Sequence, residues 1–131
     1  MAQEIKRKAI AQERAKFAWE CTKSGKENNS VAEKYKSHVR EFPMLILSNG
    51  LINAVAFVYD KGGIGKGDES GDKGWKLIYT HLEQWLKDDC GMNLIQTDGL
   101  IQELLKCETD RLRIITNETI SLFTWLKRFV S

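Results

Sequence analysis

Residues 75–86 read Trp75-Lys76-Leu77-Ile78-Tyr79-Thr80-His81-Leu82-Glu83-Gln84-Trp85-Leu86. The large apolar side chains Trp75, Ile78, Tyr79, Leu82, Trp85 and Leu86 recur at i, i+3, i+4, i+7, i+10 and i+11. That spacing draws one stripe down an α-helix and breaks the two-residue alternation of a half-buried strand. Asp72 precedes the stripe and offers a carboxylate to the unpaired amides of the first turn, so the spacing predicts an amphipathic helix capped by Asp72 and ended near Gly91.

The chain on either side reads the same way. Upstream, residues 60–74 (DKGGIGKGDESGDKG) carry six of the ten glycines and are expected to form a flexible surface loop. Before it, twelve of the sixteen residues from Met44 to Tyr59 are apolar, with no clean polar face, which predicts a helix buried on most sides. Pro43 suits its first turn, where a missing N–H costs nothing. Ser48-Asn49-Gly50 interrupts it, with Gly50 allowing a close approach or a bend. Ser30-Val31-Ala32-Glu33 has capping-box spacing and predicts a helix over about 30–40. Residues 3–24 form one helix with Ile10, Ala11, Ala15, Phe17, Ala18 and Cys21 on one arc, stopped by Gly25. Arg14 and Arg7 lie inside that arc. An arginine there must snorkel, pair with an acid or meet a partner.

Downstream, Leu100, Ile101, Leu104, Leu105 and Cys107 mark a short helix. A last helix runs from about Asp110 to Val130. Its apolar arc gathers Leu112, Ile115, Leu122, Phe123, Trp125, Leu126, Phe129 and Val130, while Arg113, Lys127 and Arg128 gather on the other side. Helices throughout, with short connections and no repeat, imply an all-α, single-domain bundle of five to six helices.

Composition agrees and excludes several classes. A chain of 131 residues, 42% apolar and 29% charged, is long enough for one packed core and too apolar for disorder. No stretch is long and apolar enough to span a bilayer, and the start, Met1-Ala2-Gln3-Glu4-Ile5-Lys6, lacks the apolar region of a secretory signal, so a cytoplasmic location is expected. Cys21, Cys90 and Cys107 are an odd number without CxxC spacing and read as inert thiols. Charge is nearly balanced, 20 Lys+Arg against 18 Asp+Glu, but residues 1–41 hold ten basic and six acidic residues.

Catalytic and cofactor motifs fail on specific positions. Gly65-Lys66 would need glycine at 60 and Ser/Thr at 67 for a phosphate-binding loop, and the chain has Asp60 and Gly67. Asp68, Ser70 and Asp72 start like a calcium loop, but Lys73 and Tyr79 stand where glycine and glutamate are required. His38 and His81 belong to no metal spacing. As an acid–base pair they would make a ribonuclease, a rival to be tested directly. No nucleophile, base and orienting group assemble, so a non-enzyme without cofactor or metal is expected.

Two segments carry a resemblance. One is Tyr35-Lys36-Ser37-His38-Val39 through Phe42-Pro43-Met44-Leu45-Ile46-Leu47-Ser48-Asn49-Gly50-Leu51-Ile52-Asn53-Ala54-Val55-Ala56-Phe57. The other is Thr116-Asn117-Glu118-Thr119-Ile120-Ser121-Leu122-Phe123-Thr124-Trp125-Leu126-Lys127-Arg128-Phe129. With the early pair Arg14-Ala15, they resemble the small α-helical subunit of the type III-B CRISPR (Cmr) effector complex, which has a middle pattern like LP-x-LI-x-x-NGL and an ending like T-x-E-x-x-x-L-x-WLKRF. Phe42 stands where Leu or Ala is commoner, and the glycine-rich loop lies outside both patterns. The resemblance implies a non-catalytic subunit whose copies stack into the minor filament of a ribonucleoprotein. Its partners would be other Cmr subunits, guide RNA and target RNA. Since base pairing reads the sequence, such a subunit needs only a rigid surface with cations aimed at phosphates. Arg14, Lys61, Arg113, Lys127 and Arg128 are the expected RNA- or partner-facing residues. Exposed apolar residues such as Ile120 would serve contacts between copies. The type III-A (Csm) small subunit is the nearest rival. A duplex-DNA regulator lacks its recognition helix here.

Overall fold

A computed structural model describes residues 2–26, 29–66, 71–89, 94–95 and 99–130. Among these residues there are six α-helices and no strand: α1 (Ala2–Lys26), α2 (Asn29–Asn49), α3 (Leu51–Lys61), α4 (Lys73–Gln84), α5 (Leu100–Lys106) and α6 (Thr109–Val130). A 3-10 turn covers Ile64–Lys66, and a π turn over Trp85–Asp89 prolongs α4. The all-α bundle expected from the periodicities is what forms.

Helix α2 is the hub, packing on α1, α3, α4 and α6, while α1 and α6 run against each other. The reason is legible along α2: Val31, Tyr35, Val39, Phe42 and Ile46 are all buried and recur at i, i+4, i+8, i+11 and i+15. The last four of these meet Ile78 and Leu82 of α4, Leu86 of the π turn, and Ile115, Leu122, Phe123 and Leu126 of α6 in one core. Phe42 and Phe123 touch with ring centroids 4.8 Å apart. Asp72 caps α4 as expected, its carboxylate accepting from Gly74 N at 2.8 Å and Trp75 N at 3.1 Å.

Four expectations are corrected. Pro43 does not start a helix; it lies inside α2, which runs unbroken to Asn49. Its ring nitrogen cannot donate to the Val39 carbonyl, yet burial of residues on both sides of it keeps the helix going. The break comes at Gly50, whose φ of 85° turns the chain from α2 into α3. A Cβ there would meet nothing within 4 Å, so Gly50 serves the bend rather than a close approach. The apolar run after Pro43 is also less buried than its composition suggests: Met44 is 63% and Leu47 75% exposed.

Gly25 does not stop α1 but lies inside it, and a Cβ there would fall 2.6 Å from Cδ1 of Tyr35. The glycine exists for the Tyr35 ring to pack on. In the glycine-rich loop, Gly62 and Gly63 are buried and not at the surface. A Cβ on Gly71 would fall 2.3 Å from the Gly62 carbonyl, and Asp72 N donates to Lys61 O at 2.8 Å, so the two ends of the loop are closed backbone against backbone. Gly67, Asp68, Glu69, Ser70, Cys90 and Gly91, together with the side chains of Arg7 and Ser30, lie outside the described residues.

Candidate nucleic-acid interface

Helix α6 turns its apolar arc inward: Ile115, Thr119, Leu122, Phe123, Leu126 and Val130 are buried. Its polar side faces solvent with Arg113, Asn117, Thr124, Lys127 and Arg128 exposed. The only acid from Arg111 to Val130 is Glu118, and Glu118 is buried. Its carboxylate accepts Nε and Nη2 of Arg14 at 3.0 and 2.9 Å and the indole Nε1–H of Trp85 at 2.9 Å. One carboxylate thus ties α1, α6 and the π turn together, and its charge is neutralised inside the bundle. Beyond the exposed Asp110 of the first turn, the outward face of α6 is left with cations and neutral hydrogen-bonding side chains.

Of the choices open to Arg14, the structure has it paired with an acid. Its side chain is 17% exposed and its fork is committed to Glu118. Arg113, Lys127 and Arg128 share the outward face of α6 but not one spot: Arg113 and Lys127 are about 21 Å apart along the axis at 1.5 Å per residue. They make a stripe. Lys127 and Arg128 also occupy the last turn, where cations favour the carbonyl end of the helix dipole. The guanidinium of Arg128 lies 5.1 Å from the Trp125 ring centroid. Lys61 stands apart, at the end of α3 with its ammonium 5.8 Å over Phe57, on a helix that packs against α2, α4 and α5. Ile120 is partly buried against the core. Among the described residues, the exposed large apolar side chains are Trp19, Met44, Leu47, Leu105 and Ile114.

Sequence reasoning missed Glu118 as the mate of Arg14, and it missed Trp19. The signal for the pair was present. Glu118 stands four residues before Leu122 and beside the apolar arc of its helix, as out of place there as Arg14 is on α1. Two misplaced opposite charges invite pairing, but only the crossing of α1 and α6 brings them together. Trp19 gives no such signal, since its exposure depends on which side of α1 is covered.

The histidines have structural partners. His81 is buried, and its Nδ1 shares a 2.9 Å hydrogen bond with the Tyr35 hydroxyl. Burial pushes its pKa down to about 4, so the ring is neutral at physiological pH. Burial, with the Cys21 thiol beside it, holds the Tyr35 phenol well above its usual value. His38 stacks on Trp75 with centroids 3.9 Å apart and donates Nε2–H to Asp72 at 3.1 Å. For Asp72, burial acts to raise the pKa, but the His38 hydrogen bond and the amides of Trp75 and Gly74 outweigh it and hold the carboxyl below its ordinary range.

An open cleft of about 390 Å³ is lined by Tyr59, Tyr79, Glu83, Ile101 and Gln102 among others. Its polar groups already serve α5: Glu83 accepts Leu100 N at 3.0 Å and the Tyr79 hydroxyl accepts Ile101 N at 3.2 Å. Among the described residues no three His, Cys, Asp or Glu side chains gather as metal ligands, and no helix is long and apolar enough to cross a membrane.

The family model described as CRISPR-associated protein (Cas_Cmr5) matches residues 10–131.

Proposed function

Because the chain belongs to this CRISPR-associated Cas_Cmr5 family, a small helical subunit of the type III-B Cmr complex, we propose that it is a non-catalytic subunit that holds guide and target RNA along its α6 face. It works in the cytoplasm as part of an antiviral ribonucleoprotein. Family membership implies contacts with other Cmr subunits. Copies of the chain stack head to tail as the minor filament, each presenting the same stripe to the RNA channel.

The observation that carries this reading is the outward face of α6 beyond its first-turn Asp110, with Arg113, Lys127 and Arg128 presented and Glu118 neutralised inside. Phosphates bound by such a face are held without regard to sequence, which suits a subunit whose specificity is delegated to base pairing. Arg14 supports the surface from beneath by fixing α6 against α1, and Lys61 contacts a neighbour or RNA from a separate edge. The absence of catalysis is supported by the histidines: His81 is tied to Tyr35 and His38 to Asp72.

In the assembled complex, replacing Lys127 and Arg128 by alanine should lower RNA retention and flatten its salt dependence by about 0.7 in log–log slope for each phosphate no longer neutralised. Unchanged retention and slope would remove both residues from the interface. Metal-free RNA cleavage by the purified chain, abolished in the His38→Ala/His81→Ala variant, would overturn the non-catalytic assignment.

A further inference from the structure

Tryptophan is a costly residue to leave in water, yet Trp19 of α1 is 47% exposed. It is held in place: Phe129 of α6 meets it edge-on with centroids 5.3 Å apart, and Phe129 in turn stacks on Trp125 at 5.8 Å and 30°. The three rings form a ladder along the outer seam where α1 and α6 run against each other. Cations lie over both ends of it, Lys23 Nζ at 5.8 Å from the Trp19 ring and the Arg128 guanidinium at 5.1 Å from Trp125.

The charge around the ladder is one-sided. On α1, Lys16, Trp19, Lys23 and Lys26 recur at i, i+3, i+7 and i+10, and all four are exposed. Lys127 and Arg128 add to this from α6, and Glu20 is the one acid beside the ring within a turn. An exposed indole face, fixed by the edge-on Phe129 ring and flanked by cations, fits an occupant with planar faces and a polyanionic backbone. A protein surface would have to bring a matching acidic border, whereas a single RNA strand carries an anion at every nucleotide.

We propose that the Trp19–Phe129–Trp125 ladder is a stacking site for unpaired bases of single-stranded RNA, with Lys23, Lys127 and Arg128 on the flanking phosphates. This rests on the reading of α6 as an RNA face and extends it from backbone contact to base contact. The Lys23 ammonium is on a flexible stem, so an arriving base displaces it from the Trp19 face onto a phosphate. The site prefers unpaired RNA over duplex, because duplex bases are already stacked on each other.

The test titrates the full-length chain at low salt with a labelled 20-nucleotide oligouridine and with an RNA duplex of the same length. Trp19→Leu should weaken oligouridine binding roughly tenfold, leave its salt slope unchanged and leave duplex binding unchanged. Trp19→Phe should retain most of the affinity but lose the Trp19 share of the tryptophan quenching that oligouridine produces in the parent chain, leaving only the share of Trp125, a readout independent of any folding defect in the leucine variant. If Lys127→Ala/Arg128→Ala weakens binding while Trp19→Leu and the quenching do not change, stacking is wrong and the RNA face stands. If neither variant changes binding, both readings fall. Loss of self-association in Trp19→Leu with unaltered RNA binding would assign the ladder to an interface between copies and overturn the proposal.

Discussion

A single carboxylate, Glu118, receives three hydrogen bonds from two other elements, and removing either charge of its pair leaves the other without its counterion in a poorly hydrated site. Arg14→Leu should therefore destabilise the fold by about 3 kcal/mol in urea unfolding. Arg14→Met combined with Glu118→Gln should cost less than the sum of the two single changes, because no unpaired charge remains and the amide oxygen still accepts from Trp85. A second residue-scale effect follows from His81. The unfolded imidazole takes up its proton near pH 6.5, whereas the buried one resists until about pH 4. Between these values the unfolded state alone is protonated, so roughly 3 kcal/mol of stability is lost as the pH falls through that window. Asp72 acts lower down. Its folded pKa is depressed, so its contribution is present above the ordinary carboxylate value of 3.8 and is lost as the pH falls through the folded value. Urea midpoints at pH 7.5, 5.5 and 4.5 should fall steadily in the parent chain and stay flatter in His81→Gln.

At the scale of elements, α2 shows how periodicity and local composition compete. Its buried positions follow helical spacing straight through Pro43, so the local cost of proline is overridden by packing on either side. The same helix leaves Leu47 in solvent while burying Phe42 completely. Phe42→Ala should cost about 3–5 kcal/mol, and Leu47→Ser should stay within about 0.5 kcal/mol, measured by the same denaturation. The closure of the glycine-rich loop has its own test. Gly71→Ala forces a Cβ into the Gly62 carbonyl and should cost about 1–3 kcal/mol as overpacking of rigid backbone. The α4 stripe and its Asp72 cap were readable directly, since both are local patterns. The roles of Gly25 and Gly71 were not. The Tyr35 ring that fills the space over Gly25 belongs to the next helix, and the backbone that crowds Gly71 belongs to the far end of its loop. Both neighbours arrive only when the elements pack.

For the molecule as a whole, the consequential feature is the neutralisation of α6's one late acid from within. Net charge is only +2, too small to announce a polyanion partner. The individual faces differ from that sum: beyond Asp110 in its first turn, α6 presents cations without an exposed carboxylate, and the lysine stripe of α1 borders the same seam. Interactions of this kind are weak singly and add when copies are aligned on one RNA. The isolated chain should accordingly bind a 20-nucleotide RNA weakly, with an affinity that drops steeply on raising salt from about 50 to about 200 mM, while the assembled complex retains RNA across that range. Equal salt sensitivity of the two would argue against additive binding along a filament.

The helical class, the order of the elements and the α4 cap belong to local chemistry: a 3.6-residue apolar rhythm and a carboxylate ahead of it suffice to specify them. The Arg14–Glu118–Trp85 linkage, the exposure of Trp19 and the burial of Gly62 and Gly63 depend on which helices cross and where. Those crossings are set by shape fit among side chains distant in the chain, and no stretch of residues read alone contains that information.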